Sequence, residues 1–269
     1  MANSARTKRE GKAPSRVTLG SAPLARFWAD AARVTLYFST LFDVLQSTDK
    51  LANAVAEVRF EQIAAGDRRR IAFEEALRRP HRRQEWFAAN QDLLVELLVV
   101  RVVDGFLTYV AETIAAVFRT RPETLRSGEL VRVDEVLQFD AMEELIEFLA
   151  ERRVNSLAYK SLGDLSDYLR RELGFEMFVS DEDRSRATAL VELRNLIVHN
   201  GRVANARYVA RVPGCQVTAG NKVPVDAETL EEAAFLAEVA YGIDERAAEK
   251  WGLTRAVPMP ADAHKEERG

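Results

Sequence analysis

One short stretch holds most of the chain's reactive side chains. Glu192, Arg194, Asn195, His199 and Asn200 stand in an otherwise apolar run of Leu, Ile and Val that ends at Gly201. Histidine exchanges protons near neutral pH. A guanidinium holds anions through paired N–H donors, and an asparagine both donates and accepts hydrogen bonds. Together these types suit proton transfer beside a bound anion. Helical spacing sorts them: at roughly 100° per residue, Glu192, Asn195 and His199 fall within about 60° of one another, a narrow polar stripe. Arg194 lies roughly 140° from His199 around the axis, in the apolar arc. Its stem can bend around that arc, but its charge must meet a carboxylate, a carbonyl or a bound anion. His199 falls in the last turn, where the helix dipole favours a protonated imidazole. Asn195, one turn back, can hydrogen-bond to it. Glu192 can orient it, with Asn200 as a second supporting residue. The same residues admit a structural use: a helix end whose histidine caps the last carbonyls, with Arg194 and Asn195 tying neighbouring loops.

The run Arg194-Asn195-Leu196-Ile197-Val198-His199 resembles the signature of the HEPN superfamily, an arginine followed a few residues later by a histidine, with a polar residue straight after the arginine. Asn200-Gly201 is also familiar from that group. The resemblance spans residues 84–252 and implies a bundle of about five helices with the motif on a late one. It implies metal-independent endoribonuclease chemistry without a cofactor. Arg194, Asn195 and His199 would be the catalytic set, in a cleft shared by the two copies of a homodimer. RNA supplies its own nucleophile, the 2′-hydroxyl, and a histidine can take that proton or protonate the leaving 5′-oxygen. The products would carry 2′,3′-cyclic phosphates. It also implies a place in bacterial stress or phage defence, with an antitoxin or other regulatory protein as partner. Members without nuclease activity serve as adaptors, sensors or ligand binders, so a non-catalytic dimer is the second expectation.

The elements that must position this stretch read as all-α. Residues 1–20 are polar and basic and read as a disordered tail, either merely solvated or an electrostatic arm for nucleic acid. Residues 21–83 form an additional N-terminal helical region. Phe27, Ala31, Val34, Phe38, Leu41 and Leu45 set its period, and Ser47-Thr48-Asp49 suggests a boundary with a second helix over 51–63. Arg68, Arg69, Arg70, Arg78, Arg79, Arg82 and Arg83 then cluster around a short helical piece interrupted by Pro80 and diluted by Glu74, Glu75 and Glu85. They form either a solvated face or a weak site for RNA. A long apolar helix runs over 86–119. Ser127-Gly128 marks a turn, and a further helix runs to about 154. Ser161 with Asp164 starts the next. Ser180 through Asp183 starts the motif helix. Tyr208 to Val225 predicts a small β-hairpin, Asp226 caps the last helix, and residues 253–269 read as a flexible tail.

Composition narrows the function classes. Lys plus Arg number 38 against 42 Asp plus Glu, a net charge of −4, which argues against a globally basic nucleic-acid coat but not against a local patch. The single cysteine, Cys215, has no catalytic partner at readable spacing, and His81, His199 and His264 lie too far apart to suggest a zinc site. No glycine-rich phosphate loop is present. The longest apolar stretch is broken by Glu96, Arg101, Asp104 and Glu112, so no membrane span is expected. Without a secretory signal the expected location is cytoplasmic.

Overall fold

Apolar residues that cover most of a helix's circumference require neighbours on several sides. The computed structural model describes residues 19–64, 66–125, 130–158 and 160–259. Its elements are β1 Leu19–Gly20, α1 Ala22–Arg59, α2 Arg68–Arg78, α3 Arg82–Thr120, α4 Val133–Val136, α5 Met142–Ala158, α6 Leu162–Glu172, α7 Asp181–Asn200, α8 Ala206–Arg211, α9 Ala227–Trp251 and β2 Val257–Pro258. The protein is mainly helical. α3 is the central rod, packed by α1, α5, α7 and α9. Val95, Val99, Val103, Phe106, Ile114 and Phe118 of α3 are buried. Phe27 of α1 stacks on Tyr109, ring centroids 5.8 Å apart. The Tyr109 hydroxyl donates to Ala240 O of α9 at 2.9 Å, and burial pushes its pKa far up.

The two ends of the chain meet. β1 and β2 pair antiparallel. Ser21 caps α1, accepting from Leu24 N at 3.3 Å. Its own N–H and hydroxyl donate to Asp244, fully buried on α9. Arg255 Nε lies 2.9 Å from the same carboxylate. Gly20 is closely packed: a Cβ there would stand 2.7 Å from Met259 Sδ and 2.9 Å from Leu24 Cδ2, so those side chains would have to shift. The tail expected over 253–269 is therefore docked as far as Met259, because Leu253 and Met259 are buried. Residues 1–18 and 260–269, and the Ser127-Gly128 turn, lie outside the described residues.

Two further expectations are corrected. The boundary at Ser47-Thr48-Asp49 does not exist, since α1 runs unbroken through it. Thr48 Oγ1 donates to Val44 O at 2.7 Å within the helix. Asp49 caps a different helix: its carboxylate accepts from Arg83 N at 3.0 Å and Gln84 N at 3.1 Å, the first turn of α3. Nor do residues 208–225 form a hairpin. Asn205 caps α8, accepting from Tyr208 N at 2.9 Å, so the first predicted strand is helical. What remains of β structure there is one bridge, Val203 with Lys222. Val209, Val212 and Val217 pack on the core, and burial decided what β propensity suggested otherwise. Leu24, Phe27 and Val34 of α1 belong to the common core.

Burial raises the pKa of Asp49, but hydrogen bonds from Arg83 and Gln84 outweigh it and hold the carboxyl below its ordinary value. Asp49→Ala is expected to lower the unfolding free energy by about 1–2 kcal/mol at neutral pH, measured by urea denaturation. A depressed folded-state pKa stabilises fully above the ordinary carboxylate range and loses its effect as pH falls through the depressed value. The gap between wild type and Asp49→Ala should therefore close in acid and persist in base.

Candidate functional site

The helix that carries the motif is held at both ends. Ser180 caps α7, accepting from Asp183 N at 3.0 Å, with Asp181, Glu182 and Asp183 in the first turn. At the other end Gly201 is left-handed, φ 53°, and its N–H returns to Leu196 O. Arg202 follows with φ 67°, a conformation that costs a non-glycine residue about 1 kcal/mol or more. Its guanidinium repays that strain: Nη2 lies 2.8 Å from Asp92 and Nε 2.6 Å from Glu96, both on α3, and Nη1 donates to Val223 O at 3.3 Å. Only 10% of this side chain is exposed, so the three contacts fix the end of α7 on α3.

The motif residues divide between two surroundings. His199 is exposed in the last turn, and among the described residues nothing bonds its imidazole. Asn195, half-buried one turn earlier, accepts from Arg194 Nη1 at 3.1 Å. Arg194 Nε stands 2.7 Å from Asp104 Oδ1 of α3, an ion pair whose N–H does not point along the line between them. The arginine thus meets a carboxylate, one of the partners its place in the apolar arc demanded. Arg194 and Asn195 are brought into contact, and His199 is on the same helix end without a bond to either. Glu192 goes elsewhere: it is buried and accepts from Arg211 Nη1 of α8 at 2.8 Å, so it does not orient the imidazole. Asn200 Nδ2 donates to Val203 O, a turn contact.

Five arginines of the basic cluster are paired with carboxylates of the protomer. Arg69 pairs with Asp67 at 2.6 Å, Arg79 with Glu85 at 2.7 Å, Arg82 with Glu75 at 2.9 Å and Arg83 with Asp49 at 3.0 Å. Arg70 lies 3.5 Å from Glu74 and over the Phe60 ring. The Arg69 side chain holds the Asp67 carboxyl down to about 2. A cleft of about 520 Å³ opens between α7, α8 and the start of α9, but Arg194 and His199 do not line it. Arg186 in its wall is clamped to Glu232 at 2.6 and 2.9 Å and stacked on Phe235.

No family model, curated protein or solved structure matches the chain. The site therefore rests on its residues. Sequence reasoning missed Asp104, Arg202 with Asp92 and Glu96, and Arg211. Asp104 and Glu96 were visible as charges interrupting an apolar helix, a pattern that calls for arginines from a packed neighbour. The conformation of Arg202 left no such mark. Replacing Arg202 separates its two roles. Both Arg202→Ala and Arg202→Gly lose the ion pairs, but only alanine keeps the left-handed strain. Arg202→Ala is expected to be less stable than Arg202→Gly by about 1 kcal/mol in chemical denaturation. Equal stabilities would show that the backbone relaxes there.

Proposed function

We propose that the chain is a HEPN-type, metal-independent endoribonuclease. What supports this reading best is that the motif histidine stands in solvent, unbonded, at the end of the same helix on which Arg194 and Asn195 touch. The reaction would use two copies. His199 takes the proton of the RNA 2′-hydroxyl as its oxygen bonds to phosphorus. The bond from phosphorus to the 5′-oxygen breaks, and a protonated His199 of the partner subunit gives that oxygen a proton. Arg194 would hold the phosphate as charge builds on it, and Asn195 would orient a phosphoryl oxygen. Two copies also answer the angular problem, since each helix can supply what the other turns away.

The test is cleavage of single-stranded RNA by the purified chain in EDTA, with products read for cyclic phosphate. His199→Ala is expected to slow cleavage by about 10²- to 10⁴-fold, the usual contribution of general acid–base catalysis. Asn195→Ala should weaken it less. A second reading is favoured by the Arg194–Asp104 pair, which occupies the arginine within one protomer. On that reading the motif is structural and the chain is an adaptor or sensor. Absence of cleavage by wild-type chain on any RNA tested would select it.

A further inference from the structure

The pair α1 and α3 carries an apolar face that nothing among the described residues covers. Tyr37 is 68% exposed, Trp86 65%, Leu93 63% and Leu97 61%, and Leu41 and Val44 lie beside them, also exposed. These six are on one side of the helix pair. The ion pairs Arg26–Glu112 and Asp30–Arg101 bridge the helices along one edge. On α1, Asp30, Tyr37, Leu41 and Val44 fall within about 60° of one another, and on α3, Arg101, Leu97, Leu93 and Trp86 fall within about 80°. The ion-paired edge therefore continues as an apolar ribbon toward the C-terminus of α1 and the N-terminus of α3.

We infer that this ribbon is where a second copy of the chain docks, layer on layer, as an antiparallel four-helix arrangement. Area favours it. The six side chains expose on the order of 700 Å² per protomer, above the few hundred Å² a monomer usually leaves in one patch and close to the roughly 800 Å² each partner gives a standard interface. Spacing favours it too. Trp86, Leu93, Leu97 and Val100 recur at steps of seven, four and three, the period of a helix seam that packs at about 20° to its partner. Charge identifies the occupant. Most charges bordering the ribbon are paired within the protomer: Arg83 with Asp49, Arg101 with Asp30, and Arg194 with Asp104, while Arg33 shares Asp30 with Arg101. A face with so few unbalanced charges has little field for a charged partner or an anionic membrane, and two such faces meet with little repulsion. α1's opposite face alternates Asp43, Gln46, Lys50 and Glu57, unlike the basic face of a membrane-surface helix.

The inference does not need catalysis, but it bears on the proposed site. Asp104 lies on α3 within about 40° of Leu93 and Leu97 around the axis, so Arg194 is held where the ribbon ends. Docking there brings the end of α7 to the border of the interface.

Sedimentation velocity of the full chain tests it. Wild type is expected to be a dimer at micromolar concentration. Leu93→Glu with Leu97→Glu should give a monomer that keeps its helical circular dichroism, because both residues are exposed in the protomer. Val133→Glu, an exposed site off the ribbon, should stay dimeric. Should the double variant unfold, Leu93→Cys, at the middle of the ribbon, on a Cys215→Ser background and treated with a short bis-maleimide, should give covalent dimers, and Val133→Cys none. A monomeric wild type, a dimer indifferent to the ribbon substitutions, or ribbon-dependent flotation with phosphatidylglycerol vesicles would overturn the inference. The outcomes separate from those of the ribonuclease reading. A ribbon dimer that cuts no RNA keeps this inference and removes that reading, and an RNA-cutting dimer indifferent to the ribbon substitutions does the reverse.

Discussion

α3 is apolar around too much of its circumference to be stable alone, and the rest of the chain is arranged by what covers it. Its C-terminal half is enclosed by α1, α5 and α9, and the buried residues from Val102 to Phe118 follow from that. Its N-terminal half is covered less. α1 lies along one side and the end of α7 along another, and Trp86, Leu93 and Leu97 are left in solvent. A 39-residue helix is about 58 Å long, longer than a core of this size can wrap. The exposed ribbon is thus a consequence of length, and its 3.5-residue spacing makes that consequence usable by a second helix layer.

Charge decides register where apolar packing alone would allow sliding. Asp49 caps α3 from α1, Asp244 ties Ser21 and Arg255 to α9, and Asp92 with Glu96 receives Arg202. Each joins segments far apart in the chain. Buried ion pairs add little net stability, because desolvation offsets most of the attraction. Breaking one is costly, since the survivor is left unpaired. They therefore penalise misplacement more than they reward folding, which suits helices as long as α1 and α3.

The sequence was most readable where structure is local. Ser161 with Asp164, Ser180, Asp226 and the Asn200-Gly201 stop lie where their helices begin and end. Those signals act within one turn, so nothing distant competes. Ser47-Thr48-Asp49 failed for the opposite reason: the capping carboxylate was real, but the helix it caps begins at Arg82. The segment 208–225 failed because its β-branched residues found partners in the core rather than in each other. At the motif, helical geometry set Arg194 apart from the stripe of Asn195 and His199, yet its guanidinium reaches Asn195 as well as Asp104. It could not foresee that Glu192, on the same stripe, would lie under α8 and meet Arg211.

The relation between Arg194 and Asp104 bears most directly on whether the motif can act. The arginine side chain is 24% exposed and the aspartate 37%. With Arg194 Nε itself buried, the pair stands between a surface pair, worth about 0–1 kcal/mol, and a fully buried one. A phosphate offers the guanidinium two parallel charge-assisted bonds, roughly twice as strong as neutral ones. A phosphodiester would replace one charge-assisted partner of Arg194 by another, and the carboxylate left behind, 37% exposed, remains partly hydrated. On the ribonuclease reading, Asp104 holds the guanidinium at the open end of α7 until an anion arrives, and it keeps an unpaired cation from the edge of an apolar face. A deeply buried Arg194–Asp104 pair would have closed that route, because removing one partner there costs about 3–5 kcal/mol. The shallow placement of the pair, more than its existence, leaves Arg194 available.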